Sequence, residues 1–161
     1  MIKEIDKSNI AECVNVIRKS FQTVADEFGF TVENAPRFTA FATTEEWLFY
    51  QLEVEHRLMA AYFSDDGKIV GYYSLSFLEN SECELNNLCV LPEFRHKKIG
   101  ESLLADAVAR AKSKNCAKMK IGIVEENKVL RKWYEAHEFT HTHTQKYDFF
   151  PFTCGYMERD L

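Results

Sequence analysis

The stretch from Leu88 to Leu104 constrains the fold more than any other. Leu88 to Leu91 is a short unbroken apolar run of the kind carried by a strand buried on both faces. Pro92 ends it, because proline has no N–H for the ladder. Beyond the turn, Ile99, Leu103, Leu104, Ala107, Val108 and Ala111 line one face of a helix predicted to run to about Asn115. Strand, basic turn and helix N-terminus therefore follow one another directly. Such a terminus presents free N–H groups and about half a unit of positive charge, so a basic turn entering it suits an anion, phosphate above all. Gly100 lets backbone approach that guest, and Arg95, Lys97 and Lys98 surround it with positive charge.

The remaining elements are read from period and turn chemistry. Met1 to Asp6 alternates as a first strand, and Asn9 with Glu12 three residues on starts a helix carrying Ile10, Val14, Ile17, Phe21 and Val24. Residues 29–42 have no period and read as a loop. Thr43 with Glu46 then opens a second helix through Trp47, Leu48, Leu52 and Val54. Leu58 to Phe63 and Ile69 to Phe77 form an antiparallel hairpin about the Asp66-Gly67 step. In the next strand, Glu82 to Leu91, Cys83 and Leu85 share one parity while Leu88 and Val90 share the other, which calls for a bulge near Asn86 and Asn87. Lys118 to Val124 follows the central helix as a parallel strand reached by a right-handed crossover. Asn127 to Ala136 is a short helix, and Thr140 to Phe149 and Thr153 to Leu161 are final strands joined across Pro151. The order β-α-α-β-β-β-α-β-α-β-β implies a mixed, mostly antiparallel α/β sheet with helices on both faces.

Residues 1–161 are expected to form a single domain, whose 46% apolar and 14% aromatic content is ample for one core. The chain lacks the roughly 18 consecutive apolar residues of a membrane span, and Met1 to Asp6 does not resemble a signal peptide, so a cytoplasmic protein without membrane contact is expected. A net charge of −5 speaks against a nucleic-acid partner. Cys13, Cys83, Cys89, Cys116 and Cys154 are scattered without a C-x-x-C pair and read as reduced, buried thiols. Charge is uneven: Asp26, Glu27, Glu33, Glu45, Glu46, Glu53 and Glu55 face the single base Arg37 between residues 26 and 55.

Two motifs resemble the GNAT superfamily of acetyl-CoA-dependent N-acetyltransferases. Arg95-His96-Lys97-Lys98-Ile99-Gly100 is similar to its acyl-CoA pyrophosphate loop, with Lys98 where the family usually has its first glycine. Asn127, Leu130, Tyr134, Glu138 and Phe139 keep the register of the second motif, with Leu130 and Glu138 in place of small residues. The element order also resembles that fold along nearly the whole chain. The resemblance implies that acetyl-CoA is the cosubstrate and that its pyrophosphate rests on the backbone of His96, Lys97, Lys98, Ile99, Gly100 and Glu101. It further implies that Asn127 bonds the pantetheine arm and that the Tyr134 hydroxyl sits by the sulfur. On this reading the N–H groups of Leu88, Cys89 and Val90 polarise the thioester carbonyl.

A departing thiolate needs a proton, and a phenol with pKa near 10 keeps one to give, so Tyr134 is the candidate acid. On helical spacing alone an anchor beside Trp133 would be the better reading, and only the motif register reverses this. The attacking amine must lose a proton; Glu84 is the candidate base, with Glu82 or water as rivals. No base stands near Cys89 to make a thiolate, which favours direct transfer over an acyl-enzyme. His137, His141 and His143 lack a further ligand at metal spacing, and no metal is expected. The acidic block between residues 26 and 55 suggests a cationic amine acceptor, a small molecule or a peptide, because such a field concentrates cations. A non-catalytic acyl-CoA sensor on the same fold, or a module gripping another phosphate ligand, are the alternatives. Oligomeric state, monomer or homodimer, is left open.

Overall fold

The computed structural model describes residues 1–161. Its elements run β1 (Ile2–Glu4), α1 (Ile10–Phe28), α2 (Thr39–Ala42), α3 (Glu45–Glu53), β2 (Leu58–Phe63), β3 (Ile69–Phe77), β4 (Glu82–Val90), α4 (Ile99–Ser113), β5 (Lys118–Val124), α5 (Lys128–Ala136), β6 (Thr140–Lys146) and β7 (Thr153–Asp160). One seven-stranded sheet takes the order β1-β2-β3-β4-β5-β7-β6, mostly antiparallel, with β4 and β5 as the parallel pair. No helix is long and apolar enough to cross a membrane.

Local chemistry explains most of these elements. Gly67 takes φ 81° in the β2–β3 turn, a conformation that needs no strain from glycine. Both capping assignments shift. Asp6, not Asn9, forms the first capping box, around the 3-10 turn Lys7–Asn9 that leads into α1. Glu12 instead accepts from the Ile69 N–H at 2.8 Å and ties α1 to β3. Thr44, one residue later than expected, caps α3 by accepting from the Trp47 N–H. In α3 the expected apolar stripe is only partly buried: Leu48 is inside, whereas Trp47 and Val54 are exposed. Residues 29–42, expected to be a loop, contain the single turn α2 and three separate phenylalanines, Phe30, Phe38 and Phe41.

The phase slip in β4 is a bulge. Cys89 lies opposite Tyr72 and Asn86 opposite Ser74, so Asn87 and Leu88 have no ladder partner, and Asn87 takes φ 55°. Leu85, paired with Leu75, faces α4; Cys89, paired with Tyr72, faces α1. The α4 face is set by close contact: a Cβ on Gly71 would stand 2.8 Å from Leu103, and the Tyr73 hydroxyl donates to Asp106 at 2.6 Å. On the opposite face α1 packs on β3 and β4, burying Cys13, Val16 and Ile17.

Only Glu82–Glu84 of β4 and Lys118–Lys120 of β5 are paired. Beyond them β4 stays with β3 and β5 stays with β7, so the sheet splays at the carboxyl ends of its two parallel strands. That is where open α/β sheets hold ligands. A second, smaller core closes one side of the splay, with Phe30 4.8 Å and Phe38 5.8 Å from the Phe152 ring.

Candidate active site

The turn after β4 delivers its backbone to the splay. Lys98 is the N-cap of α4 at φ 63°, ψ 12°, and its side chain makes no capping bond. His96 shares this left-handed conformation at φ 63°. For a residue with a Cβ the conformation costs about 1–2 kcal/mol, and here it turns the free N–H end of a 15-residue helix toward a cavity. That cavity, of about 700 Å³, is lined by Ser20, Phe21, Thr23, Val24 and Glu27 of α1 and by Leu88, Cys89 and Val90. Arg95, His96, Lys98, Ile99, Gly100 and Glu101 form its second wall, and Asn127, Leu130, Trp133 and Tyr134 its third. Lys97 stands outside the lining, its ammonium over the Phe94 ring. A Cβ at Gly100 would meet Trp133 at 3.7 Å and Val90 at 3.9 Å, ordinary contacts, so the protein's own packing does not demand glycine there.

Arg95, a residue of this lining, directs its guanidinium to the protein's own groups. Its Nε donates to the Val90 carbonyl at 3.1 Å, Nη1 to the Thr23 hydroxyl at 3.1 Å and Nη2 to the Ser20 carbonyl at 3.0 Å. The guanidinium therefore braces the loop against α1 and β4. Sequence reading missed this, since its partners Ser20 and Thr23 lie 75 and 72 positions away.

Tyr134 is buried, its ring edge-on to Trp133 at 5.0 Å and to Phe139 at 5.3 Å. Burial, helped by the nearby Cys89, pushes its phenol above the ordinary value. Burial also pushes the Cys89 thiol up to about 12, which leaves no thiolate for an acyl-enzyme. The Asn127 Oδ1 accepts from the Leu130 N–H at 3.2 Å, capping α5 while the residue lines the cavity. Tyr134 also lines a second cavity, of about 250 Å³, on the far side of the splay. Phe21, Val24, Leu88, Asn127 and Leu130 border both spaces as well, so the two cavities share a wall that includes Tyr134.

The sequence model of the acetyltransferase (GNAT) family matches residues 24–139. The chain belongs to the GNAT family. Among solved structures, the PaiA N-acetyltransferase of Thermoplasma acidophilum, in complex with coenzyme A, is 21% identical. It superposes with a TM-score of 0.84 over 100% of this chain and 98% of that one. A phosphinothricin acetyltransferase of Sinorhizobium meliloti, in complex with AcCoA, is 17% identical with a TM-score of 0.77, over 100% of this chain and 88% of that one. The ribosomal-protein-S18-alanine N-acetyltransferase of Escherichia coli is 13% identical with a TM-score of 0.77, over 99% and 92%. No curated protein sequence matches the chain.

In this GNAT chain Glu84 lies outside both cavity linings. It sits between Ser76 and Lys120 in the sheet, close enough to Tyr156 of the second cavity for its charge to be felt there. Burial raises its pKa, while Arg57 and Lys120 pull the other way. The rival Glu82 is held by Lys120 at 2.7 Å. The acidic block does not converge on the site. Asp26, Glu27, Glu33, Glu45, Glu46, Glu53 and Glu55 are all exposed, and of these only Glu27 lines a cavity, the larger one. The three histidines serve separate neighbours: His137 meets the Trp133 carbonyl, His141 pairs with Glu125 at 2.9 Å, and His143 stacks on Tyr156. Sequence reading also missed the aromatic wall of the second cavity, for which the run Tyr147-Asp148-Phe149-Phe150-Pro151-Phe152 was the available signal.

Proposed function

We propose that the chain is an N-acetyltransferase that moves acetyl from acetyl-CoA to a primary amine by direct transfer. One observation supports the reading: Tyr134 lines both cavities, one suited to a cofactor thioester and the other to an acceptor amine. The residues present suit the cosubstrate, which supplies an activated acyl group on sulfur. The first turn of α4 offers uncapped N–H donors to a pyrophosphate, made accessible by left-handed His96 and Lys98. Leu88, freed from the ladder by the bulge, offers its N–H group to the thioester oxygen, where negative charge develops.

The amine nitrogen bonds to the acyl carbon as the carbon–sulfur bond breaks. Sulfur takes a proton from the Tyr134 hydroxyl, and the nitrogen loses one toward Glu84 through water. Solvent restores both groups, and the sum is amide plus thiol.

Consumption of acetyl-CoA across a panel of polyamines, amino acids, aminoglycosides and lysine-bearing peptides tests the reading. Turnover with at least one amine is expected. Binding of acetyl-CoA with no amine-dependent consumption would favour a sensor on the same fold.

A further inference from the structure

Resting on the transferase reading, we infer that the acceptor is a small amine with an apolar or aromatic body and a carboxylate, and that Arg37 holds the carboxylate. The second cavity carries this. Its lining is mostly hydrophobic, with Phe21, Phe38, Phe150, Phe152 and Tyr156 among the residues, and no aspartate or glutamate lines it. Arg37 is the one charged residue of the lining. Its guanidinium lies 4.2 Å from the centre of the Phe149 ring and makes no ion pair or hydrogen bond. The planar fork is thus oriented by the ring, with donors suited to grip a carboxylate through two parallel bonds.

The wall is already packed, with Phe150 stacked on Phe152 at 4.5 Å and Phe38 and Phe152 edge to face. The space of about 250 Å³ equals about eight water volumes, room for one body the size of an amino acid. A polycation entering it would give up its water against an apolar wall with no counter-ion, and Arg37 would repel it. The carboxylates that suggested a cationic acceptor stand on the outer surface and leave this cavity untouched. Charge in the cavity therefore reverses the expectation drawn from charge along the chain.

Initial-rate kinetics with L-phenylalanine and L-leucine, their amides, the matching amines without the carboxylate, and spermidine test the inference. The amino acids are expected to exceed every other acceptor in kcat/KM by about ten-fold or more, the scale on which loss of a polar contact is discriminated. Arg37→Gln is expected to shrink the phenylalanine to phenethylamine ratio by a similar factor, with Arg37→Lys keeping part of it. Arg37 is exposed and outside any hydrogen bond, so the variant should fold, which its thermal midpoint checks. Equal use of spermidine or phenethylamine, or an unchanged ratio in Arg37→Gln, overturns the acceptor inference while leaving the transferase intact. If none of these amines is acetylated, the acceptor inference falls, and the wider panel of aminoglycosides and lysine-bearing peptides decides the transferase reading separately.

Discussion

The Nη2 of Arg95 donates to the backbone carbonyl of Ser20 at 3.0 Å, and this bond joins the turn after β4 to the helix across the cavity. With the Thr23 and Val90 bonds it makes Arg95 a brace. Arg95→Lys keeps the charge and loses the fork. The variant is expected to lose about 1–3 kcal/mol of stability, the scale of hydrogen bonds to a charged group, and to weaken coenzyme A binding with it. Chemical denaturation and calorimetric titration measure the two. Intact stability with weakened binding would return Arg95 to the phosphate.

Lys98 pays the strain of a left-handed backbone at the position where the family usually carries glycine. Lys98→Gly removes the strain of about 1–2 kcal/mol, partly offset by glycine's greater freedom when unfolded. Coenzyme A should bind the variant at least as tightly as wild type, measured by titration at physiological salt. A large loss of affinity would show that the ammonium itself grips the ligand and that backbone shape is secondary.

What could be read beforehand was local. The Asp66-Gly67 turn and the bulge at Asn87 announce themselves because turn residues and side-chain parity act over a few positions. The caps were misplaced by a few residues because Asp6 and Asn9, or Thr43 and Thr44, are competent rivals within one turn. Residues 29–42 look structureless because Phe30 and Phe38 pack on Phe152, more than a hundred positions away, and such a contact leaves no period. Tyr134 stands out only through motif register, since an aromatic on a short helix usually means packing. The acidic block is dispersed over the surface, with only Glu27 lining a cavity, because proximity along the chain says nothing about which side chains face one.

Glu84 supplies a test in pH. Burial raises its folded-state pKa above the ordinary carboxylate value against the pull of Arg57 and Lys120, so the folded protein holds this proton more tightly than the unfolded chain. The stability involved is fully present below the ordinary carboxylate range and is lost as pH rises through the raised value. Glu84→Gln should therefore be more stable than wild type at neutral pH, with the difference vanishing in acid. Urea midpoints at both pH values give the comparison. If Glu84 is also the base, the variant loses the ascending limb of the rate profile that this ionisation creates; a profile like that of wild type would pass the role to Glu82 or water.

Tyr134→Phe asks the most direct question of the site. The substitution removes one oxygen and leaves the ring against Trp133 and Phe139, so the fold and the cavity shape should survive. Because burial keeps the phenol protonated well beyond neutral pH, the group is always ready to donate and the acid form never limits the rate there. Turnover is expected to fall about 10²–10⁴-fold, the usual worth of a positioned acid, with coenzyme A affinity nearly unchanged. A fall in kcat without a rise in the dissociation constant separates proton donation from binding. Should kcat stay at the wild-type value, water protonates the thiolate, and the tyrosine is an anchor that happens to stand in the wall the cavities share.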